Sequence, residues 1–278
     1  MIIGIIGLGL IGGSLAKSIK SKTLHTVLAN DIDDKTMEAA KNFGAFDEIL
    51  TSENISKCYL LILALAPSKA IEWIKNHAKE ISHDTVVVDL CGIKRAVCDE
   101  IFPVADENNF IFVGGHPMAG LEKGGFENSR ANLFDAASMI LTPGKNIKAE
   151  ILEKLKIFFL ETGFASITLS TPEEHDKIIS YTSQLAHIIS SAYIRSPEAL
   201  KRRGFSAGSF RDMTRVSSMD EKLWTELFLY NRDFLIEQLE TVMKNINEYL
   251  DALKENNSAK LEDLIREGRE IKTQVTEK

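Results

Sequence analysis

A glycine-rich turn near the amino terminus has the spacing that phosphate-binding turns require. Residues 7–12 read GLGLIG and fit the pattern G-x-G-x-x-G. They follow a short β-branched run and open a helical segment, so the backbone could approach a pyrophosphate at the positive end of a helix. The predicted cofactor-binding residues of the turn are Gly7, Gly9, Leu10, Ile11 and Gly12. A glycine-rich turn without a ligand is the alternative interpretation.

An acidic residue lies where such a turn needs a group for the ribose. Asp31 follows the glycines by about 20 residues, at the end of a second predicted strand. A carboxylate there accepts hydrogen bonds from ribose hydroxyls and repels a 2′-phosphate, which favours NAD over NADP. Asp31 could instead be the N-cap of the next helix.

Two further turns follow predicted strands and carry groups suited to catalysis. The first, GGHPMAG at 114–120, contains His116, which could accept a proton near neutral pH or simply be a surface histidine. Glu122, just beyond it, could orient a substrate or pair with a neighbouring lysine. The second, DLCGIK at 89–94, contains Lys94, which could bind a substrate carboxylate or be a solvated lysine at a helix start. Cys91 could be a nucleophile, but the sequence offers no evident base for it.

The second half of the chain carries a basic segment in an acidic protein. Between residues 195 and 215, six lysines and arginines face only two acidic residues. Arginine is the preferred bidentate partner of a carboxylate, so Arg211 and Arg215 are candidates for binding a substrate acid. The alternative is that these arginines pair with acidic surface elsewhere. Upstream, Gln184 and His187 are three residues apart and would project from one helical face.

The elements that would hold these residues change type along the chain. Strand-like runs alternate with helical segments up to residue 169, which predicts a parallel α/β sheet covered on both faces. Beyond it the pattern is helical only, with long helices predicted over 173–194 and 223–253. We therefore predict a Rossmann-type doubly wound domain at 1–170 and an all-helical domain at 171–278.

Composition restricts the class of protein. The chain has 278 residues, 44% hydrophobic residues and a net charge of −7, which argues against binding nucleic acid or an anionic membrane. Its longest apolar run, 58–66, is far shorter than the ~20 residues that span a bilayer. No signal peptide and no metal motif are recognisable. Three sparse cysteines indicate reduced thiols and a cytoplasmic location.

Four motifs together resemble the prephenate/arogenate dehydrogenase family of tyrosine biosynthesis. They are GLGLIGGS at 7–14, GGHPMAG at 114–120, SYTSQLAH at 180–187 and FRDMTR at 210–215. The resemblance implies NAD-dependent oxidative decarboxylation of prephenate to 4-hydroxyphenylpyruvate, and a homodimer formed through the helical domain. Hydride would pass from the substrate ring to NAD as the ring hydroxyl loses its proton.

The resemblance also implies roles for individual residues. His116 would bind the ring hydroxyl of prephenate and act as the base, His187 would be a second active-site histidine, and Arg215 would hold a substrate carboxylate. It places Glu122 at the pocket entrance, and Trp224 near the partner subunit's site in a dimer. With Lys94, Gln184 and Arg211, considered above, these residues complete the predicted substrate-binding set.

Two positions depart from the family pattern and leave the substrate open. Gly92 stands where many relatives have serine, and Gln184 stands where some have histidine. Arogenate is therefore a rival substrate. The sequence is also compatible with a β-hydroxyacid dehydrogenase that uses a catalytic lysine, and with a non-catalytic NAD-binding sensor.

Overall fold

An eight-stranded sheet organises the first part of the chain in the computed structural model, which describes residues 1–276. Its strands run in the order β3-β2-β1-β4-β5-β6-β7-β8. The strands are β1 (Ile2–Ile6), β2 (Thr26–Asn30), β3 (Glu48–Ile49), β4 (Leu60–Leu63), β5 (Val86–Asp89), β6 (Ile111–Pro117), β7 (Ser138–Pro143) and β8 (Ser166–Leu169). The chain builds outward from β1 in both directions, so the order reverses between β1 and β4. Open α/β sheets bind ligands at the carboxyl ends of the strands beside such a reversal.

The sheet is parallel except at one pair of strands. Strands β1, β2, β4, β5 and β6 pair in parallel, but β7 runs antiparallel to β6. The predicted all-parallel sheet is wrong at this point. A parallel crossover needs a long connection, usually an α-helix, whereas the segment between these strands has only a short 3₁₀ turn at Phe126–Asn128 as its regular structure.

Helices cover both faces of the sheet, as the Rossmann-type prediction required. They are α1 (Leu10–Lys22), α2 (Asp34–Phe43), α3 (Pro67–His77), α4 (Arg95–Asn108) and α5 (Ala149–Glu161). Alternate strand residues divide between two buried clusters: Leu60 and Ile62 belong to one, and Leu61 and Leu63 to the other. The near-continuous apolar strands are explained by this two-sided burial. Helix α4 begins directly after Lys94, the position considered above as a helix start, and contains Pro103.

The chain continues beyond β8 with helices that pack in the same compact unit as the sheet. This unit comprises Met1–Asn231. It contains α6 (Pro172–Ile179), a π-helical segment (Ser180–Leu185), α7 (Ala186–Ile194), α8 (Gly208–Thr214) and α9 (Glu221–Tyr230). The helix predicted over 173–194 is thus interrupted by a π-helical segment. The boundary between the two compact units follows residue 231, whereas the predicted boundary near residue 170 marks the change from sheet to helix.

A second unit begins at Arg232 and contains α10 (Arg232–Lys254) and α11 (Ser258–Thr276). The helix predicted over 223–253 is therefore wrong as a single helix, because the chain leaves helical geometry at Asn231. A short link with Asn256 in the left-handed conformation joins α10 to α11. Several apolar side chains of α10 are exposed in the single chain, namely Ile236, Met243, Ile246, Leu250 and Leu253.

Within residues 1–276, every helix is too short or too polar to span a membrane.

Candidate active site

The glycine-rich turn leads from β1 into α1 and has the shape of a dinucleotide cradle. Gly7 has a φ of +88°, and a Cβ added to Gly12 would overlap the Gly7 carbonyl oxygen, so only glycine fits both positions. Gly9 is the N-cap of α1 and has no side chain with which to cap it. A Cβ added to Gly9 would meet nothing within 4 Å. The helix start therefore has room for an anion beside its backbone N–H groups.

Asp31 ties the end of β2 to this turn. The Leu8 backbone N–H donates to Asp31 Oδ2 at 2.6 Å, and the Asp33 N–H donates to Asp31 Oδ1 at 2.9 Å. The N-cap of α2 is Asp33, whose carboxylate accepts from the Thr36 N–H, so the alternative role of Asp31 as an N-cap is wrong. Its carboxylate is only partly buried and lies beside the cradle. These residues fit a nicotinamide dinucleotide with an unphosphorylated ribose.

His116 lies near the carboxyl end of β6, at the same edge of the sheet as the turn after β1. It is the first member of a hydrogen-bonded chain of side chains. His116 Nδ1 lies 2.8 Å from His175 Nε2, and His175 Nδ1 lies 2.7 Å from Asp176 Oδ1. His175 and Asp176 are buried, whereas His116 is partly exposed. The chain thus runs from the edge of the site into the protein interior.

The start of α6 fixes the inner end of this chain. Thr171 caps α6 by accepting from the Glu174 N–H, and Pro172 occupies the first turn. The Asp176 carboxylate then accepts from the backbone N–H groups of Lys94 and Arg95, at 2.7 and 2.9 Å. These groups lie at the N-terminus of α4, where a helix favours negative charge. Asp176 therefore anchors α6 to α4 as well as contacting His175.

Lys94 lies beneath the site in a buried ion pair. Its side chain is 0% exposed, and its ammonium donates to Asp89 and, at 2.7 Å, to the Gly115 carbonyl. Asp89 in turn accepts from the Gly115 and Cys91 N–H groups. The geometry does not favour the predicted contact of Lys94 with a substrate carboxylate, because its charge is already paired inside the protein. Lys94 instead holds the strand residue that precedes His116.

The same burial bears on Cys91 as a candidate nucleophile. Cys91 is buried, and its thiol lies 3.5 Å from the Leu65 carbonyl oxygen. Burial, together with the nearby Asp89 charge, raises the pKa of this thiol well above its ordinary value. A thiol that stays protonated is a poor nucleophile, so the environment argues against this role.

Electrostatics keep His116 neutral near pH 7. Burial, followed by the charges of His175 and Lys94, lowers the pKa of His116 well below its ordinary value. Burial also lowers the pKa of His175, although its hydrogen bond to Asp176 acts in the opposite direction. A neutral imidazole at the ligand edge of the sheet can accept a proton from a substrate hydroxyl.

A second group of functional side chains comes from the helices. His187 Nδ1 lies 2.8 Å from the Ser183 carbonyl oxygen, and the His187 ring stacks on Trp224 with a centroid distance of 3.8 Å. Burial lowers the pKa of His187, and the positive charge of Arg215 lowers it further. Arg215 is exposed and therefore combines accessibility with proximity to His187. The structure thus places His187 beside Trp224 of the same chain and within the electrostatic influence of Arg215.

One face of α9 links the two groups. Trp224 and Leu227 are three residues apart on this helix and so share a face. A Cβ added at Gly92 would lie 3.5 Å from the Leu227 side chain and 3.8 Å from His116 Nε2. Gly92 therefore borders His116 Nε2, the ring nitrogen that does not contact His175.

Three other predicted substrate contacts differ in their surroundings. Gln184 is buried, donates to the Leu227 carbonyl at 3.3 Å, and accepts from Asn231 at 2.8 Å. This geometry favours a structural role for Gln184. Glu122 and Arg211 are both exposed. Arg211 Nε lies 3.8 Å from Oδ1 of its neighbour Asp212. The structure does not bring these two residues into the group around His116.

Sequence reasoning missed His175 and Asp176. The segment TPEEHD at 171–176 carries the signals of a helix start, and its His-Asp pair was the only hint of chemistry. The partner of His175 lies 59 residues earlier in the chain. No spacing rule connects two residues so far apart.

Three features together define this protein as a dinucleotide-dependent dehydrogenase in class. They are a Rossmann-type sheet, a glycine cradle with a following aspartate, and a neutral histidine at the same edge of the sheet. Residues 15–168 match the family model "Prephenate dehydrogenase, nucleotide-binding domain", and residues 171–267 match "Prephenate dehydrogenase, dimerization domain". The chain belongs to the prephenate dehydrogenase family, which confirms the resemblance seen in the sequence.

Named relatives agree with this assignment. The prephenate dehydrogenase of Bacillus subtilis is 30% identical over 87% of this chain and 67% of its own length. A solved prephenate dehydrogenase of Aquifex aeolicus, in complex with hydroxyphenyl propionate and NAD+, has a TM-score of 0.85 and 25% identity, covering 100% of this chain and 98% of that one. Synechocystis arogenate dehydrogenase has a TM-score of 0.81 and 25% identity, covering 99% and 100%.

Proposed function

We propose that this protein is an NAD-dependent prephenate dehydrogenase, which converts prephenate to 4-hydroxyphenylpyruvate and CO₂. The observation that carries the proposal is the position of His116 at the ligand edge of the sheet that also holds the glycine cradle, where burial and the charges of His175 and Lys94 lower its pKa. The reaction needs a base for one hydroxyl proton next to a dinucleotide. Membership of the family supplies the substrate class.

The cradle is the part of the site that holds the cofactor. Gly7, Gly9 and Gly12 admit the pyrophosphate to the start of α1, and Asp31 receives the ribose hydroxyls. The negative charge of Asp31 disfavours a 2′-phosphate, so NAD is the cofactor rather than NADP. When bound, NAD supplies the acceptor for the hydride that leaves the substrate ring.

Proton removal is the task of His116. Its Nε2 accepts the proton of the ring hydroxyl as the attached carbon becomes carbonyl-like, and loss of CO₂ completes an aromatic ring, which drives the reaction. A positioned general base contributes typically ~10²–10⁴-fold to rate. Arg215 holds a substrate carboxylate, while His187, stacked on Trp224, borders the same site.

A second candidate substrate is arogenate, because the chain shares its fold with an arogenate dehydrogenase over nearly its whole length. The experiment that separates the two measures NADH or NADPH formation by absorbance. Purified protein is given prephenate or arogenate, each with NAD+ and with NADP+. We expect the highest kcat/KM for prephenate with NAD+.

The same assay has outcomes that contradict the proposal. A higher kcat/KM for arogenate would assign that substrate instead. Binding of NAD, measured by calorimetry, without turnover of either acid would indicate a non-catalytic NAD sensor. The His116→Asn variant is the background control.

The family also supports proposals about the assembly and location of the protein. The protein forms a homodimer through its helical second half, which its exposed apolar side chains on α10 support. It acts in the cytoplasm, consistent with three buried free thiols at Cys58, Cys91 and Cys98. Its net charge of −7 disfavours nucleic acid as a partner.

A further inference from the structure

We propose that His175 and Asp176 are positioning residues that fix the proton of His116 on Nδ1, which keeps Nε2 as the free lone pair that faces the substrate. The catalytic consequence rests on the proposed dehydrogenase function. The arrangement of protons does not, because it follows from hydrogen bonds within this chain.

The argument begins at Asp176, which has only acceptors to offer. Its two carboxylate oxygens accept from the backbone N–H groups of Lys94 and Arg95, and an ionised carboxylate carries no proton to donate. The contact of 2.7 Å between Asp176 Oδ1 and His175 Nδ1 therefore requires the hydrogen to reside on His175 Nδ1. Asp176 thus sets the tautomer of His175.

The tautomer of His175 then determines that of His116. A neutral imidazole has one N–H and one lone pair, so with its proton on Nδ1 the His175 ring offers a lone pair at Nε2. His116 Nδ1 lies 2.8 Å from that atom and must be the donor. The remaining nitrogen of His116, Nε2, is left without a proton and can act as a base.

The orientation of that nitrogen agrees with its role. A Cβ added at Gly92 would lie 3.8 Å from His116 Nε2, so this atom is on the side of Gly92 and Leu227, whereas Nδ1 is on the side of His175. The opposite nitrogen is on the buried side, with His175 and the Lys94–Asp89 pair. Moving the His116 proton from Nδ1 to Nε2 would have two effects. It would break the buried hydrogen bond to His175, and it would occupy the nitrogen that acts as the base.

The same chain of side chains also serves the protonated state. When Nε2 takes the hydroxyl proton, the Nδ1–H of His116 becomes a stronger donor to His175, and the adjacent Asp176 carboxylate stabilises the positive charge through that ring. This is useful because Lys94 otherwise places a positive charge near His116. The only atom transferred in this step is the one proton that His116 accepts.

The direct test is the ¹⁵N NMR spectrum of histidine-labelled full-length protein without cofactor or substrate. The two ring nitrogens of a neutral histidine resonate at distinct shifts that report which one carries the proton. The His116 signals are assigned by their loss in His116→Gln. We expect a protonated Nδ1 and an unprotonated Nε2 in the wild type.

Two substitutions at one position make the test specific. His175→Phe removes the acceptor, so His116 should shift toward the Nε2–H tautomer. His175→Gln is the matched control, because its side-chain oxygen can still accept from His116 Nδ1 while it cannot titrate. A wild-type His116 protonated on Nε2, or an unchanged tautomer in His175→Phe, would overturn the proposal.

Kinetics supply the second readout. His175→Phe should lower kcat by roughly 10- to 100-fold, the range known for removing the partner that orients a metal-bound imidazole, with KM changed less than about twofold. His175→Gln should recover part of that loss. Equal losses in both variants, with both shown by circular dichroism to be folded, would contradict a positioning role. Absence of wild-type turnover would count against the proposed function, and the NMR result would still decide the proton arrangement.

Discussion

At the scale of single residues, the surroundings of His116 favour the neutral imidazole that its proposed role as a base needs. A partly buried histidine beside positive charge releases its proton more readily than one in water. His116 has both features, since burial, His175 and Lys94 all act in that direction. His116 is therefore mainly in the neutral form that the proposed reaction requires.

This environment predicts the pH dependence of the reaction. Because the pKa of His116 is lowered, its neutral form persists to lower pH, and kcat/KM should fall only well below the ordinary histidine value of about 6.5. The measurement is kcat/KM for prephenate from about pH 4.5 to 8. A half-maximal point at or above about 6.5 would contradict the neutral, preset base.

The base itself has a substitution test. His116→Asn keeps a polar side chain but cannot accept the proton, so kcat should fall by about 10²–10⁴-fold with a much smaller change in KM. Steady-state kinetics with saturating NAD+ measure both parameters. A variant with near-normal kcat would remove His116 from the chemistry.

A second residue-scale prediction concerns the substrate carboxylate. Arg215→Ala removes a charge-assisted hydrogen bond worth about 1.5–3 kcal/mol, so KM for prephenate should rise about 10- to 100-fold with a smaller effect on kcat. Arg211→Ala is the matched control, because Arg211 is also exposed and lies beside Asp212. Equal effects of the two substitutions would show that general charge, rather than Arg215, binds the acid.

At the scale of elements, the turn between β1 and α1 separates two uses of glycine. Gly12 is needed for packing, because a Cβ there would overlap the Gly7 carbonyl, whereas a Cβ at Gly9 would meet open space. Gly12 therefore serves the fold, and Gly9 leaves room for a ligand.

This difference is testable with two alanine substitutions. Gly12→Ala should destabilise the protein by about 1–3 kcal/mol through overpacking. Gly9→Ala should leave Tm nearly unchanged and weaken NAD binding, because its methyl group occupies the space reserved for the pyrophosphate. Thermal unfolding gives Tm, and calorimetry gives the Kd for NAD. Normal NAD affinity in Gly9→Ala would place the pyrophosphate elsewhere.

The helices show how tertiary contacts alter a periodic pattern. The predicted helix over 223–253 ends early at α9, where the buried Asn231 side chain donates to the Asp176 carbonyl and to Gln184. Apolar periodicity alone continued through this point. The break became visible only from the contacts that Asn231 makes with α6 and the π-helical segment.

At the scale of the whole molecule, the exposed apolar residues of α10 are the face that the proposed homodimer would cover. Ile246→Glu should shift the protein toward the monomer, because Ile246 is 57% exposed in the single chain and would be covered in the dimer. Ile32→Glu is the control, since Ile32 is exposed in a loop of the sheet-containing unit. Sedimentation equilibrium measures the mass. An unchanged dimer in Ile246→Glu would exclude this face.

Sequence alone determined the features that depend on neighbouring residues. The alternation of strands and helices, the glycine turn and the Rossmann-type class could be predicted, and the fold class is confirmed, because periodicity and glycine spacing are local properties of the chain. His116 could be selected as a candidate base because its turn follows a strand of a predicted α/β sheet. Its proposed role still awaits experiment.

Only the tertiary structure decided which distant residues meet. It placed His175 and Asp176 behind His116, paired Lys94 with Asp89 in the interior, and turned β7 antiparallel to β6. Each of these depends on burial and on hydrogen bonds between segments far apart in sequence, and a local pattern carries no information about them. The candidate base is therefore visible in the sequence, but the buried partners that lower its pKa are brought to it only in the folded chain.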